Sequence, residues 1–127
     1  FMLFNMMGVF RTGMKMYSPF ICRDPRFPEM MDRDLSRTTV ESFLRSIASL
    51  RRTDLIPMLP QIKVPAMGMY GDKDVIVHPM QWQPMQQGIS HAVIERFPTS
   101  GHFPMLDEPT AFTQKLKAFL DQEVSTP

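Results

Sequence analysis

The sequence has few of the features that mark several large classes of protein. Its 127 residues include one cysteine, Cys22, which excludes an internal disulfide and favours a reducing compartment, so we predict a cytoplasmic location. A net charge of +1 gives no electrostatic reason to expect nucleic-acid binding. No apolar run reaches the roughly 20 residues of a membrane span. A signal peptide is not indicated either, because there is no basic start with a small-residue cleavage site.

The histidines are also few and do not have the spacing of a zinc site. They are His78, His91 and His102, and we predict neither a metal nor a cofactor. We expect His78 and His91 to lie on the surface or at the rim of a pocket.

Two apolar segments, each followed by a turn that contains glycine, carry the residues that point to chemistry. Residues 62–70 predict a short buried strand that ends at Gly71, and the acid Asp74 lies in the turn that follows. Residues 92–97 predict a second strand, and His102 follows its turn. The sequence therefore places one acid and one histidine directly after two neighbouring strands.

The segment between the two strands decides where these turns meet. Residues 78–88 are long enough for a crossover helix, so the order strand, helix, strand predicts a parallel βαβ unit. Both turns then emerge at the same carboxyl edge of the sheet. A carboxylate beside an imidazole fixes its tautomer and stabilises the imidazolium that forms when the ring takes a proton from a nucleophile.

In this order and at this separation, the two turns resemble those of the C-terminal part of the α/β-hydrolase superfamily. The family's acid follows the seventh strand in a G-x-x-D turn, here residues 71–74, and its histidine opens a G-H-x-x-x-x-E-x-P turn, here residues 101–109. The resemblance runs from about Asp54 to Leu120. It implies catalytic roles for Asp74 and His102, and an α/β fold consisting of the last two parallel strands with flanking helices, preceded by helical cap segments.

Several residues keep a second interpretation. Asp74 is favoured as the acid because it is the fourth residue of the G-x-x-D turn, whereas Asp72 is expected to accept from the turn's own N–H groups. His102 has the alternative of a turn histidine bonded to a backbone carbonyl. Trp82 either lines the site or anchors its helix, and the sequence does not separate these.

The family's nucleophile is missing from the sequence. No G-x-S-x-G motif precedes Gly71, and Ser90 in residues 88–92 leads into a strand and lies between the acid and the histidine, so we interpret it as a loop residue. The resemblance implies a hydrolase that acts on carboxylic esters, or next on carbon–carbon or amide bonds, with a serine upstream of this fragment. The alternatives are a haloalkane dehalogenase or epoxide hydrolase with an aspartate nucleophile, and a non-catalytic binding module.

The length agrees with a fragment. A family sheet of about eight strands needs about twice this length, and a start at Phe1 instead of methionine fits that expectation. We divide the chain into a helical cap or lid, residues 1–53, and part of the hydrolase core, residues 54–127. The methionines and phenylalanines of residues 1–17 suit an apolar acyl or alkyl substrate, although plain packing explains them equally well.

The remaining elements follow from periodicity and helix signals. Residues 1–17 predict an apolar helix, and the prolines of residues 18–34 predict an irregular connector. A capping box from Thr38 to Glu41 starts a second helix, which has one apolar face. We expect Asp107 to cap a last helix that ends in a frayed tail, residues 122–127. The predicted buried face of that helix consists of Phe112, Leu116, Phe119 and Leu120.

Overall fold

The computed structural model describes residues 2–124, which form α-helices, a 3₁₀ helix and two short strands. In chain order the elements are α1 (Met2–Ile21), α2 (Phe27–Leu35), α3 (Val40–Arg52), a 3₁₀ helix (Ile56–Gln61), β1 (Met67–Gly71), α4 (Trp82–Gly88), β2 (Val93–Phe97), α5 (Pro104–Asp107) and α6 (Pro109–Val124).

The described chain divides into two compact units. The helical unit runs up to Phe20 and continues over Asp24–Asp54, and the sheet unit contains Ile21–Arg23 and the chain from Leu55 onward. The short segment Ile21–Arg23 thus belongs to the sheet unit, although the other residues of that unit begin only at Leu55, more than 30 positions later. The assignment of residues 1–53 to a cap and 54–127 to a hydrolase core stays a prediction.

The predicted parallel βαβ arrangement is confirmed in the sheet unit. β1 pairs with β2 in parallel, from Met67 opposite Val93 to Gly71 opposite Phe97, and α4 lies in the connection between them. β1 is shorter than predicted, because residues 62–66 precede the strand instead of forming part of it. Pro65 has no N–H to donate to a ladder, which accounts for a strand that starts only at Met67.

The first helix is longer than the sequence suggested. α1 continues to Ile21 through Pro19, which lacks the N–H that would bond the carbonyl of Lys15. The hydroxyl of Ser18 donates to that carbonyl at 2.6 Å, so the carbonyl keeps a partner and the helix continues. Despite its 20 residues, α1 is not apolar enough to cross a membrane, and no other helix of residues 2–124 qualifies.

The prediction of an irregular connector over residues 18–34 was wrong, because α2 occupies much of it. Asp24 starts the turn that leads into α2. Its carboxylate accepts from the Arg26 N–H at 2.8 Å, and its carbonyl accepts from the Phe27 N–H. Hydrogen bonds from the Arg26 guanidinium and N–H lower the pKa of Asp24 to about 2. Pro28 lies in the first turn of α2, where a missing N–H costs no helical hydrogen bond.

The start of α3 lies one residue later than predicted. Thr39, not Thr38, is the N-cap, and its side-chain oxygen accepts from the Ser42 N–H at 3.1 Å. On the apolar face of α3, Phe43 packs against Phe10 with ring centroids 5.1 Å apart. Leu44 and Leu50 remain exposed.

The last helix differs from the prediction in its cap and in its burial. Asp107 ends α5, and its carboxylate bonds other segments of the chain instead of capping α6. Phe112 packs on Phe97 of β2, with ring centroids 6.1 Å apart, but Leu116 and Leu120 are exposed. A sheet of two strands in the described chain is too narrow to cover the whole face. α6 continues through Val124 where a frayed tail was expected, and residues 125–127 lie outside the described chain.

The end of β1 lies against the turn that follows β2. A Cβ atom added to Gly71 would lie 2.0 Å from the carbonyl oxygen of Gly101 and 2.5 Å from that of Ser100. Neither neighbour is a side-chain tip that can move aside, so only glycine fits at position 71. No described residue has a positive φ, so this glycine serves close approach and not an unusual backbone conformation.

We predict that Gly71→Ala lowers the free energy of unfolding of the sheet unit by at least about 2 kcal/mol, because backbone must move to admit the methyl group. Urea unfolding followed by the fluorescence of Trp82, the single tryptophan, measures this change.

Gly13→Ala is the matched control. An added Cβ there meets no atom within 4 Å, and alanine stabilises a helix interior by about 0.5–1 kcal/mol, so the helical signal in circular dichroism should persist to higher urea. An unchanged Trp82 transition in Gly71→Ala would contradict the close approach.

Candidate active site

The two residues that the sequence singled out meet at the carboxyl edge of the sheet. Asp74 follows β1 and His102 follows β2, and Nδ1 of His102 lies 2.8 Å from Oδ2 of Asp74. The Asp74 side chain is 12% exposed and that of His102 is 31% exposed. The carboxylate is therefore the more sheltered member of the pair, and the imidazole is the one that other molecules can reach.

The second carboxylate oxygen of Asp74 is fixed by its own turn. Oδ1 accepts from the backbone N–H groups of Ile76 and Val77, at 2.7 and 2.9 Å. These two bonds set the orientation of the carboxylate and direct Oδ2 at His102. Because an ionised carboxylate only accepts, Nδ1 carries the proton of the shared bond, and Nε2 is the ring atom able to accept a proton.

Backbone hydrogen bonds join the acid turn to the histidine turn. The N–H of Asp72 donates to the carbonyl of Phe97, and that of Lys73 donates to the carbonyl of Ser100, each at 3.0 Å. Together with the close packing of Gly71 they hold the two turns at a fixed separation. The Asp74–His102 bond thus rests on main-chain contacts as well as on the side chains.

Asp72 has a different partner from the one expected. Its carboxylate bonds the Arg96 guanidinium at 2.8 Å, and the turn N–H groups go to Asp74. Arg96 in turn lies over the ring of Trp82, 5.3 Å from the ring centroid. This contact favours the interpretation in which Trp82 anchors α4.

The other histidines and Ser90 are not brought to this edge by any described contact. Nε2 of His91 lies 2.8 Å from the carbonyl of Val64, and Nδ1 of His78 accepts from the Met80 N–H at 3.2 Å. Ser90 is an exposed turn residue. Among residues 2–124, no group of three or more histidine, cysteine or acidic side chains is placed to hold a metal ion.

Two acids that sequence reasoning did not assign to the site support the histidine turn. Glu108 accepts from the hydroxyls of Thr99 and Ser100, at 2.6 and 2.7 Å, and these bonds hold the pKa of Glu108 below its ordinary value. Asp107 accepts from the Gly101 N–H at 2.7 Å. The sequence carried a signal for Asp107, which stands at the glutamate position of the G-H-x-x-x-x-E-x-P pattern, but it did not locate the partners of Asp107 and gave none for Glu108.

Comparisons with known proteins agree with the resemblance drawn from the two turns. No family model matches the sequence. Over 72 residues, 56% of this chain, it is 36% identical to the AB hydrolase superfamily protein YclE of Bacillus subtilis (strain 168). The matched part is 26% of that protein, so the chain spans about a quarter of the curated relative's length.

Solved structures of α/β hydrolases share the fold. The esterase EaEST from Exiguobacterium antarcticum is 27% identical with a TM-score of 0.70, over 87% of this chain and 42% of the esterase. The enol-lactonase from Burkholderia xenovorans LB400 is 28% identical with a TM-score of 0.67, over 78% of this chain and 38% of the lactonase. The similarity to the α/β-hydrolase superfamily and the predicted fold class are thereby confirmed.

The lowered pKa of Glu108 predicts a pH dependence of stability. Its ionised form is favoured in the folded chain, so the contribution to stability is present above the ordinary value of 4.5 and is lost as the pH falls through the lowered folded value. We expect Glu108→Gln to reduce the fall in the urea midpoint between about pH 5 and about pH 3.

The double variant Thr99→Val/Ser100→Ala removes the two hydroxyl donors and should flatten the same pH profile. Identical profiles for the original chain and Glu108→Gln would refute the assignment of this pH dependence to Glu108.

Proposed function

We propose that this chain, which has the fold of the C-terminal part of an α/β hydrolase, supplies the acid and the general base of a Ser-His-Asp hydrolase. The observation that carries the proposal is the 2.8 Å bond between Asp74 and Nδ1 of His102 at the shared edge of two parallel strands. The serine is proposed to lie upstream of these 127 residues. The chain spans 26% of the curated relative and 42% of the esterase, which supports a nucleophile outside these residues, and the order of the motifs in the resemblance places it upstream.

In the proposed reaction His102 moves the protons. The hydroxyl oxygen of the serine attacks the substrate carbonyl while Nε2 of His102 takes its proton. The imidazolium then returns that proton to the leaving alkoxide, and an acyl ester remains on the serine. His102 next takes a proton from water, whose oxygen attacks the acyl ester, and the same proton releases the serine.

Asp74 acts only through His102 in this scheme. Both of its carboxylate oxygens accept hydrogen bonds, one from the imidazole and the other from Ile76 and Val77. A carboxylate held in this way keeps the imidazole in one tautomer and balances the charge of the imidazolium. The same bonds argue against Asp74 itself as the nucleophile, because neither oxygen faces a substrate without a donor on it.

We propose carboxylic esters with apolar groups as substrates. Both turns carry apolar side chains that are exposed next to the catalytic pair in sequence: Ile76 after Asp74 is 50% exposed, and Met105 after His102 is 43% exposed. The names of two structural neighbours, an esterase and an enol-lactonase, support an ester bond. A reducing compartment such as the cytoplasm stays part of the proposal because the sequence has a single cysteine, Cys22, which excludes an internal disulfide.

Substitution of the pair in the full-length protein tests the proposal. With p-nitrophenyl butyrate as the substrate, His102→Ala should lower kcat by at least about 10³-fold, and Asp74→Asn by about 10²- to 10⁴-fold, because the base or its orientation is lost. Labelling by a fluorophosphonate, which reacts with an activated serine, should fall in parallel.

The chain offers matched controls at neighbouring positions. Asp72→Asn removes an exposed ion pair with Arg96, and His91→Ala removes a histidine bonded to a backbone carbonyl, so each should change kcat by less than about threefold. Equal losses in Asp72→Asn and Asp74→Asn would reject the assigned acid.

The same assay separates the alternative functions. An aspartate in place of the serine of an upstream G-x-S-x-G motif, with no fluorophosphonate labelling and with turnover of a haloalkane or epoxide, would replace the ester proposal. A full-length protein that is inactive on all three substrate classes would favour a binding module.

A further inference from the structure

Asp107 is a second carboxylate that uses both of its oxygens, and it joins two distant parts of the chain. Oδ2 accepts from the Gly101 N–H at 2.7 Å, directly before His102. Oδ1 accepts from the Arg23 N–H at 2.6 Å and lies 3.2 Å from the thiol sulfur of Cys22. One side chain therefore ties the histidine turn to a segment 84 positions away.

The same segment also contacts the histidine itself. The carbonyl of Ile21 accepts from the His102 N–H at 2.9 Å. A Cβ atom added to Gly101 would lie 2.3 Å from that carbonyl oxygen, so the two backbones touch. Ile21 and Cys22 are 3% and 2% exposed, which keeps water from competing for these bonds.

We propose that Asp107 is a positioning residue for His102, an inference that rests on the proposed function of His102 as the general base. Asp107 and Ile21–Arg23 form what we call the histidine brace. The brace occupies the N–H of Gly101 through Asp107 and the N–H of His102 through Ile21. With both N–H groups held, the backbone from which the imidazole projects has a fixed position.

A fixed backbone matters because the Asp74–His102 bond is short and directional. The carboxylate of Asp74 is anchored by its own turn, so the imidazole must be presented to it at the right place. A displacement of about 1 Å at a catalytic group can cost about 10²-fold in rate. Asp107 touches neither the ring of His102 nor Asp74 in the described contacts, so its influence runs through the backbone.

The amide isostere distinguishes Asp107 from its neighbour Glu108. Both oxygens of Asp107 accept from donors on different segments, and asparagine offers only one acceptor oxygen, so Asp107→Asn loses one side of the brace. At Glu108 both hydroxyls donate to the same oxygen, Oε1, which the carbonyl of glutamine can replace. The two variants remove the same charge at adjacent positions, but only one of them breaks a link to Ile21–Arg23.

The first measurement is the tautomer of His102 by long-range ¹H–¹⁵N NMR, at a pH where the spectrum itself shows the neutral ring. In the 127-residue chain we expect the Nδ1–H tautomer to predominate. That predominance should be lost in Asp107→Asn and kept in Glu108→Gln. An unchanged tautomer in Asp107→Asn, or an equal change in both variants, would overturn the proposal.

Kinetics of the full-length protein give the second measurement. Asp107→Asn should lower kcat by about 10- to 100-fold with little change in KM, since the chemistry and not the pocket is affected. Glu108→Gln should stay within about threefold of the original. A changed KM with an unchanged kcat in Asp107→Asn would argue against positioning.

Amide hydrogen exchange of the unaltered chain keeps the inference testable if Asp107→Asn does not fold. The N–H groups of Gly101, His102 and Arg23 should exchange slowly, whereas exchange at the rate of an open loop would refute the brace. The NMR and exchange measurements require no turnover, so they test the brace even if the protein is not a hydrolase. Loss of the brace would appear in these two measurements, whereas failure of the proposed function would appear only in the activity assay.

Discussion

The parallel pairing of β1 with β2 is the constraint on which the site depends. Parallel strands deliver the turns that follow them to one edge, and here the register ends with Gly71 opposite Phe97. Only because the chain has no Cβ at Gly71 can the two turns then approach closely enough to share backbone hydrogen bonds. The 2.8 Å contact of Asp74 with His102 therefore depends on the strand pairing, and the strand pairing does not depend on the contact.

Two carboxylates in the site use the same physical arrangement for different purposes. Asp74 and Asp107 each accept backbone N–H bonds on one oxygen and direct the other oxygen at a second segment. Asp74 contacts the imidazole ring of His102, while Asp107 accepts from the backbone N–H of Gly101, the residue before His102. A carboxylate bonded in this way has little freedom to rotate. The position of the aspartate backbone therefore determines where its partner is held.

Features marked by a local motif could be predicted from the sequence, whereas features that depend on one particular hydrogen bond, nearby or distant, could not. Local sequence motifs predict the turns around Asp74 and His102. The length of the segment between the two strands predicts the parallel unit. The continuation of α1 through Pro19 depends on one hydroxyl, Ser18, that replaces a missing donor. The role of Asp107 was misassigned because one of its partners, Arg23, lies 84 positions away, where no periodicity or capping rule reaches.

The separation of Asp107 from Arg23 along the chain also bears on the order in which the site assembles. The Asp74–His102 contact closes a loop of 28 residues, and the Asp107–Arg23 contact closes one of 84. Loop-closure entropy makes the longer loop costlier by about 1 kcal/mol, so we expect the strand pairing and the acid–histidine contact to form first. We expect Ile21–Arg23 to dock afterwards, so the histidine turn becomes rigid only when that segment has bonded to it.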